Sequence, residues 1–424
     1  MTSRSIRSMT GKTIVDNTPR TYYNVGEKRH RKEKSPMNDL HISDSVRYIG
    51  ADDTSIDLFE SQYPVPNGVS YNSYLILDEK IAVMDTVDRR AADRWLENMD
   101  AQLQGRSPDY LVIQHLEPDH AGSIGLLLEK FPEMQMVGNA KTFSMLPKYF
   151  PDGWADRSVT VKEGDTLPLG SHTLTFVMAP MVHWPEVMVS YESSEKLLFS
   201  ADGFGTFGAL SSGESWDAEA ARYYFNIVGK YGVQVQALLK KAAGLDIRTI
   251  CPLHGPVLRE DLGHYLGKYD LWSRYEPEEP ESVLLAYASI HGNTAQAAGK
   301  MKEILEKKGC PRVAFIDLCR QDQAVAVEEA FRCGRAVFMS PTYDGGLFPA
   351  MDHFMAHLRD KTWRKRKAAI IENGSWAPAA AKVMRGYLEA MKDIELCPTV
   401  HTIQGAVKDC DAAAMEQIAA ELLS

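Results

Sequence analysis

The last third of this chain alternates apolar strands with helix-length segments, and this alternation restricts its fold more than any other feature of the sequence. The strand segments carry apolar residues at consecutive positions, which indicates that both faces of each strand are covered. Strands of this kind form a parallel sheet with helices on both sides, and five of them in about 140 residues predict a doubly wound α/β domain. The five segments are SVLLAYAS, RVAFIDL, RAVFMSPT, KAAIIENG and TVHTIQGA.

The preceding part of the chain is organised differently. From about residue 45 the sequence predicts a pair of strands at VSYNSYLIL and KIAVMDTV, followed by a helix at RAADRWLENMDAQL with one apolar stripe. Early hairpins followed by strand–helix units predict stacked β-sheets with helices outside. The later strand segments are DYLVIQ, MQMVGN, HTLTFVMA, KLLFSA and IRTICPL.

Two segments of unusual composition suggest the domain boundaries. The stretch Ser273–Val283 is rich in Pro and Glu, which interrupt a hydrogen-bond ladder and repel one another, so we interpret it as a linker. Residues 1–36 are rich in Arg, Lys, Ser and Thr and lack the apolar core of a secretory signal. We interpret them as a disordered leader or as the result of an upstream start codon, with an organelle transit peptide as the weaker alternative. The predicted organisation is a leader at 1–36, a first domain at 37–275, a linker at 276–282 and a second domain at 283–424.

Composition excludes several classes of function. A net charge of -10 argues against general nucleic-acid binding, which requires clustered Lys and Arg. No apolar run approaches the roughly 20 residues that a membrane span needs. The six cysteines include no CxxC pair, so the chain holds no zinc ribbon and no rubredoxin-type iron centre of its own. Scattered thiols favour a reducing compartment, and we expect a cytoplasmic protein.

Ligand-type side chains follow four predicted strands of the first domain, at the point where each strand ends. The stretch HLEPDH, His115–His120, comes directly after DYLVIQ, and three other strands lead to His183, Asp202 and His254. One ion in a four-coordinate site cannot use so many groups, whereas two ions that share a carboxylate can. The mixture of imidazoles and carboxylates suits iron or manganese at least as well as zinc. The seven candidate metal ligands are His115, Glu117, Asp119, His120, His183, Asp202 and His254.

These motifs in combination resemble those of the flavodiiron proteins, also called A-type flavoproteins. The resemblance depends on H-x-E-x-D-H, HWPE, SADGFG and LHG, and it extends over nearly all of 37–424. It implies a metallo-β-lactamase-like αββα fold for the first domain and a flavodoxin-like fold for the second. Hydrolases of the first fold usually carry a histidine at the position of Glu117, and the carboxylate there marks a di-iron centre. The family pattern assigns His115, Glu117 and His183 to one iron, Asp119, His120 and His254 to the other, and Asp202 to a bridging position.

The loop SIHGNT, Ser289–Thr294, lies between the first strand and the first helix of the second domain. It is neither a P-loop nor a GxGxxG loop. Hydroxyl, amide and backbone N–H groups at the start of a helix can surround a phosphate, and the loop resembles the FMN phosphate loop of flavodoxins. His291 stands where Thr or Tyr is expected, and an ordinary β–α turn is the alternative interpretation of this loop alone.

Two further loops strengthen the prediction of FMN. They are SPTYDGG, Ser340–Gly346, and NGSWAP, Asn373–Pro378, and a doubly wound sheet brings both beside the first loop at its switch point. Tyr343 and Trp376 can offer aromatic faces to the flavin ring. The predicted cofactor contacts are Ser289, His291, Gly292, Asn293, Thr294, Pro341, Thr342, Tyr343, Asp344, Asn373, Gly374, Ser375 and Trp376.

A flavin and an iron pair together imply a terminal reductase. The resemblance implies reduction of O2 to water, of NO to N2O, or both, with electrons that pass through FMN from an external donor such as rubredoxin. It also implies a head-to-tail homodimer or a dimer of dimers. No acid or base is assigned apart from the metal ligands, and the sequence does not identify the groups that orient the histidine rings. We expect no nucleic-acid and no membrane partner.

Two alternatives belong to other functional classes. The first is a di-zinc hydrolase joined to a flavodoxin, against which Glu117 and the flavin loops argue. The second is an electron carrier whose first domain is a structural remnant, against which the complete ligand set argues. The sequence leaves open the choice between O2 and NO, the identity of the donor, and the choice between dimer and tetramer.

Overall fold

The computed structural model of the protein describes residues 41–150 and 154–424. The predicted leader, 1–36, and the first residues of the predicted first domain lie outside the described residues. Among the helices described, none has both the length and the apolar character needed to cross a membrane.

The first domain is built from short strands, several of which end at residues with ligand-type side chains. In chain order the strands are Val46–Tyr48 (β1), Ala51–Asp53 (β2), Leu58–Phe59 (β3), Tyr63–Pro64 (β4), Val69–Tyr71 (β5), Tyr74–Ile76 (β6), Ala82–Met84 (β7), Tyr110–Val112 (β8), Gln135–Asn139 (β9), Ser158–Val161 (β10), Thr166–Pro168 (β11), Thr173–Met178 (β12), Met188–Glu192 (β13), Leu197–Phe199 (β14) and Thr249–Cys251 (β15). The α-helices are Ala92–Leu103 (α1), Pro118–Ala121 (α2), Ile124–Lys130 (α3), Ala140–Met145 (α4), Trp216–Tyr223 (α5), Gly232–Ala242 (α6) and Leu262–Ser273 (α7).

Two sheets form the centre of this domain. The order in the first sheet is β1-β6-β7-β8-β9-β10, and the order in the second is β11-β12-β13-β14-β15. Met84 and Val137 from the first sheet share one buried cluster with Phe176 and Phe199 from the second, so the two sheets pack face to face. Trp95 of α1 belongs to a separate cluster on the outer side of the first sheet. The result is the αββα arrangement that the resemblance implied.

The second domain is a parallel sheet covered by helices on both faces. Its strands are Glu279–Tyr287 (β16), Val313–Asp317 (β17), Cys333–Tyr343 (β18), Gly346–Leu347 (β19), Arg366–Asn373 (β20) and Ile394–Ile403 (β21), and its helices are Asn293–Lys307 (α8), Gln323–Arg332 (α9), Pro349–Asp360 (α10), Ala380–Ala390 (α11) and Ala412–Leu423 (α12). The strand order is β17-β16-β18-β20-β21, and every pairing along it is parallel. This order confirms the predicted flavodoxin-like doubly wound fold.

The segment predicted to be a linker is partly a strand. β16 begins at Glu279, which pairs with Cys333, and the register shifts before Val283. Pro280 is tolerated at this irregularity because its missing N–H breaks no regular ladder. A Cβ at Gly334 would lie 2.1 Å from the carbonyl oxygen of Pro280, so only glycine fits opposite the proline. The exact limits of the two domains stay a prediction.

Candidate metal centre and cofactor cavity

The structure brings all seven predicted metal ligands together at one end of the first domain. They follow β8, β12, β14 and β15, and two of them lie on the short helix α2. The ligand atoms form two groups, each with its members within 4.8 Å of one another: His115, Glu117, His183 and Asp202 in one, and Asp119, His120 and His254 in the other.

Asp202 lies between the two groups. Its Oδ2 is 3.2 Å from Nε2 of His115 and 3.2 Å from Nε2 of His183. Its Oδ1 is 3.1 Å from Nε2 of His120 and 3.8 Å from Nε2 of His254. One carboxylate therefore faces imidazoles of both groups, which is the geometry of a carboxylate that two ions share.

Each group also has a carboxylate of its own. Oε2 of Glu117 is 3.0 Å from Nε2 of His183, and Oδ2 of Asp119 is 3.1 Å from Nε2 of His254. Glu117 is the most accessible of the carboxylates, with 15% of its side chain exposed, whereas 2% of the Asp202 side chain is exposed. The Asp119 side chain is 11% exposed, so each group has one carboxylate that reaches solvent.

Several polar atoms of the cluster are buried without a hydrogen-bond partner. They include both carboxylate oxygens of Asp119, both ring nitrogens of His120, Nε2 of His183 and Oδ1 of Asp202. Buried polar atoms are almost always paired, and each unpaired one costs about 1–3 kcal/mol. These side chains are of the types that bind metals, and their unpaired atoms lie close together. The cluster therefore fits a pair of cations.

The electrostatics of the cluster also favour positive charge. Burial alone would lower the pKa of His183, yet the Asp202 and Glu117 carboxylates raise it to about 9. Burial likewise opposes charge on His115, but Asp202, Glu117 and Glu186 raise its pKa well above the usual value. A set of carboxylates that stabilises positive charge at these rings also stabilises metal ions there.

A tight turn positions Asp202. The flanking residues Ala201 and Phe204 have φ values of 50° and 64°, in the left-handed region that non-glycine residues rarely adopt. The Ser200 hydroxyl donates to the carbonyl oxygen of Gly203 at 2.6 Å, which closes the turn. Strain of this kind persists where the surrounding structure enforces it, and it concentrates at functional sites.

Two groups that orient the rings were missed by the sequence interpretation. Nδ1 of His115 donates to Oε1 of Glu186 at 2.9 Å, and the same oxygen accepts the backbone N–H of Leu116 at 2.9 Å. Nδ1 of His254 donates to the carbonyl oxygen of Ser70 at 2.7 Å. Because Nδ1 carries the proton in both rings, Nε2 presents its lone pair to the centre. Glu186 could have been suspected from its place in the HWPE motif, whereas a backbone carbonyl leaves no signal in a sequence.

Asp85 holds the start of the ligand loop, and it too was not foreseen. Its Oδ1 accepts the backbone N–H groups of Gln114 at 2.8 Å and of His115 at 3.2 Å. Burial raises the pKa of Asp85 to about 6, although the hydrogen bonds from Gln114 and His115 oppose this shift. The carboxyl group therefore fixes the backbone from which His115 projects.

A second site lies at the carboxyl ends of β16, β18 and β20. It is an open cavity with a volume of about 200 Å³. The three loops predicted to hold FMN line it, together with residues that were not predicted. The lining residues are Ser289, Ile290, His291, Asn293, Thr294, Pro341, Thr342, Asp344, Gly345, Asn373, Gly374, Ser375, Trp376 and Gly405.

Two predicted contacts do not line the cavity, and two that do line it also make hydrogen bonds that shape the neighbouring loops. Gly292 and Tyr343 are not among the lining residues, and the Tyr343 ring packs edge-on against Phe348 with 5.5 Å between centroids. The Thr342 hydroxyl accepts the backbone N–H of Ala379 at 2.9 Å, so it caps the start of α11. The Ser289 hydroxyl accepts the N–H of Gly292 at 3.1 Å, which shapes the first loop.

Trp376 supports the fit of a planar cofactor. Its side chain is 80% exposed at the rim of the cavity, and an indole ring so exposed leaves a large apolar face unpaired. A flat aromatic ligand would cover that face. The cavity, the loop at the start of α8 and the exposed ring together fit FMN.

Comparisons with known proteins agree with this arrangement. A family model described as ODP family beta lactamase matches residues 69–255. The nitric oxide reductase of Moorella thermoacetica is 29% identical over 377 residues, which cover 85% of this chain and 93% of that protein. The solved structure of rubredoxin oxygen:oxidoreductase from Desulfovibrio gigas matches with a TM-score of 0.85 and 26% identity, over 90% of this chain and 97% of that one.

The flavodiiron protein of Giardia intestinalis shares the fold, with a TM-score of 0.83 and 24% identity over 91% of this chain and 96% of that one. Each of these matches to a full-length protein includes both domains, so the two domains occur together in the relatives as well. Taken with the seven converging side chains and the cavity in the second domain, the matches show that this chain is similar to the flavodiiron proteins over both of its domains.

Proposed function

We propose that this protein reduces O2 to water, NO to N2O, or both, at a di-iron centre in its first domain with electrons relayed through FMN in its second. The observation that carries the proposal is the position of Asp202 between two groups of ligands, in a chain that also contains a cavity lined by the three loops predicted to hold FMN. The name of one relative, nitric oxide reductase, supports the reaction with NO, and the name of another, rubredoxin-oxygen oxidoreductase, supports the reaction with O2.

The residues that would hold the metals follow from the two groups. When bound, an iron pair and FMN supply the redox chemistry that no side chain of this protein can perform alone. Glu117 in place of a histidine favours iron over zinc, because a harder oxygen ligand suits iron. One iron would be held by His115, Glu117 and His183, the other by Asp119, His120 and His254, with Asp202 shared.

The protein orients the histidine rings and forms the walls around the metal centre. Glu186 and the Ser70 carbonyl hold the Nδ1 proton of two rings, so Nε2 is the nitrogen that each neutral ring offers to a metal. The Trp184 ring lies edge-on to His115 with 5.3 Å between centroids and walls one side of the centre. The ligand side chains are largely buried, and among the carboxylates Glu117 and Asp119 are the partly exposed ones.

Assembly, donor and location are the finer parts of the proposal. We expect a head-to-tail homodimer or a dimer of dimers, supported by the exposed apolar side chains of Ile290, Tyr343 and Trp376 near the cavity. A rubredoxin-like donor is supported by the name of the relative from Megalodesulfovibrio gigas. A cytoplasmic location is supported by the six cysteines, all of which are free.

One experiment tests the function directly. The full chain, purified with its bound FMN and iron, is reduced without oxygen by an excess of donor, and the consumption of O2 and NO is followed side by side with electrodes. Rapid consumption of either gas supports the proposal. A protein that consumes neither, and that instead contains zinc and hydrolyses esters or β-lactams, would establish the hydrolase alternative.

A further inference from the structure

Two histidines outside both sites face each other on one helix of the second domain. His353 and His357 stand four residues apart on α10, and their ring centroids are 4.2 Å apart. Side chains with this spacing lie one above the other on the same face of a helix. Two imidazoles in this arrangement can hold one metal ion between them. Neither ring belongs to the metal centre or lines the cavity.

The orientation of His353 is fixed by a neighbouring helix. Nδ1 of His353 is 2.8 Å from Oε1 of Gln323, at the start of α9. The Nε2 amide group of Gln323 donates to the carbonyl oxygen of Ala350 at 3.2 Å, so Oε1 is the acceptor that faces the ring. Nδ1 of His353 therefore carries the proton, and Nε2 keeps a free lone pair. Metal-binding histidines are commonly oriented by an acceptor of this kind.

His357 is kept in the state that binds metals. The ring is half-buried, and burial together with the nearby His353 and Lys361 lowers its pKa, while Asp360 opposes this shift. Lys361 donates to the carbonyl oxygen of Asn226, which holds its ammonium group in place. At neutral pH the ring is therefore uncharged and its lone pair is available.

We propose that His353 and His357 form a binding site for a transition-metal dication of the imidazole-binding class, such as Zn²⁺, Ni²⁺ or Cu²⁺. Two imidazoles fill half of a tetrahedral shell, and water fills the rest, so the site is weaker than a closed structural zinc site. Along the chain, the two histidines lie between the cavity and a residue that contacts the first domain. α10 begins directly after the loop that lines the cavity, and the residue that follows it, Lys361, contacts the first domain.

The test counts metals in the oxidised full chain. The protein with its bound FMN and iron is dialysed against micromolar Zn²⁺, and zinc, iron and flavin per chain are measured. Some zinc will fill iron positions that are empty in the purified protein. Beyond that amount, we expect about one zinc per chain. His353→Gln and His357→Gln each remove that zinc or weaken its binding at least tenfold, with iron and flavin unchanged. His264→Gln, which alters a histidine paired with Asp217, serves as the matched control.

A third variant separates a binding site from a general loss of structure. Gln323→Leu removes the acceptor that orients His353 but leaves both rings in place, so we expect weaker zinc binding than in the wild type and stronger binding than in either histidine variant. Zinc binding that is equal in the wild type and both histidine variants would overturn the proposal. So would a wild type that binds no zinc beyond the amount that fills empty iron positions. Because the count does not depend on catalysis, it stands or fails separately from the proposed function.

Discussion

The first domain contains two clusters of histidine and carboxylate side chains, at opposite ends of the same three strands. β7, β12 and β14 end next to Asp85, His183 and Asp202, at the metal centre. The same strands begin next to Asp78, His172 and Glu195, which form a second group that we call the His172 cluster. Residue types and burial are similar at the two ends, so they do not by themselves identify a metal site.

Hydrogen bonding distinguishes the two clusters. Nδ1 of His172 is 2.7 Å from Oδ2 of Asp78, and Nε2 is 3.2 Å from Oε1 of Glu195. Asp78 also accepts from the Ser171 hydroxyl at 3.0 Å, and Glu195 accepts from the hydroxyl of Ser45. Among the described residues, no atom of the His172 cluster is buried without a hydrogen-bond partner, whereas several atoms of the metal centre are. Buried atoms without partners therefore distinguish the candidate metal centre from the His172 cluster, in which hydrogen bonds join three turns.

The largest effect should come from the shared carboxylate. Asp202→Ala removes the group that faces four imidazoles, so we expect loss of nearly all bound iron and of O2 and NO consumption, with FMN retained. Iron analysis and the flavin absorption spectrum measure both outcomes. Asp246→Ala, which alters an exposed carboxylate, is the control and should retain iron. Full iron content in Asp202→Ala would show that the carboxylate is not shared.

A smaller effect should follow from the orienting carboxylate. Glu186→Ala leaves Nδ1 of His115 and the N–H of Leu116 without their acceptor, and we expect iron affinity to fall about 10–100-fold. Glu186→Gln keeps an acceptor oxygen and should lose less. Competition with an iron chelator measures the affinity, and equal affinity in all three proteins would contradict the assigned role.

The His172 cluster should affect stability and not metal content. His172→Gln should lower the free energy of unfolding by about 1–2 kcal/mol where both charges are present, because hydrogen bonds between charged groups are lost. Burial opposes charge on His172, but Asp78 and Glu195 raise its pKa, and hydrogen bonds from His172 lower the pKa of Asp78.

These shifts set the pH range of that effect. The contribution of His172 is complete below about pH 6.5 and is lost as the pH rises through its raised pKa, whereas the contribution of Asp78 is complete above about pH 4 and is lost on acidification. Urea unfolding of wild type and variant should therefore differ most between about pH 4 and 6.5 and less at higher and at lower pH. Iron content should stay unchanged, and a loss of iron would remove the distinction between the clusters.

The smallest effect should appear in the second domain. Trp376→Ala removes an exposed ring at the cavity rim, and we expect FMN affinity to fall about 2–10-fold, in proportion to a stacking energy of about 0.5–1.5 kcal/mol. Fluorescence titration with FMN measures the change. Tyr149→Ala, another exposed aromatic residue, should bind FMN as the wild type does. Lost iron in Trp376→Ala would show that the two sites are not independent.

The sequence predicted the side chains that meet at strand ends, because buried strands followed by histidines and acids form a local pattern. It could not predict their partners. His254 and the Ser70 carbonyl are separated by 184 residues, and a carbonyl has no residue type of its own. For the same reason the sequence contains no sign that His172 joins three turns. Proximity between turns depends on how the sheets stack, which no local pattern contains.

The second domain was predicted well in topology and less well in detail. Apolar strands and intervening helices were sufficient for the parallel sheet, since each strand is buried on both faces. The contacts of the cavity depend on loop geometry, as Thr342 and Tyr343 show: one hydroxyl caps α11, and one ring turns towards Phe348. The start of β16 inside the predicted linker has a similar cause, because Gly334 makes room for Pro280.

The central claim is that one carboxylate joins two irons in this chain, and magnetic spectroscopy of the partly reduced protein tests it most directly. We expect two irons and one FMN per chain, together with an electron paramagnetic resonance signal from two exchange-coupled irons that disappears in Asp202→Ala. A chain that holds only zinc, or whose irons give the signal of isolated ions, would contradict the account.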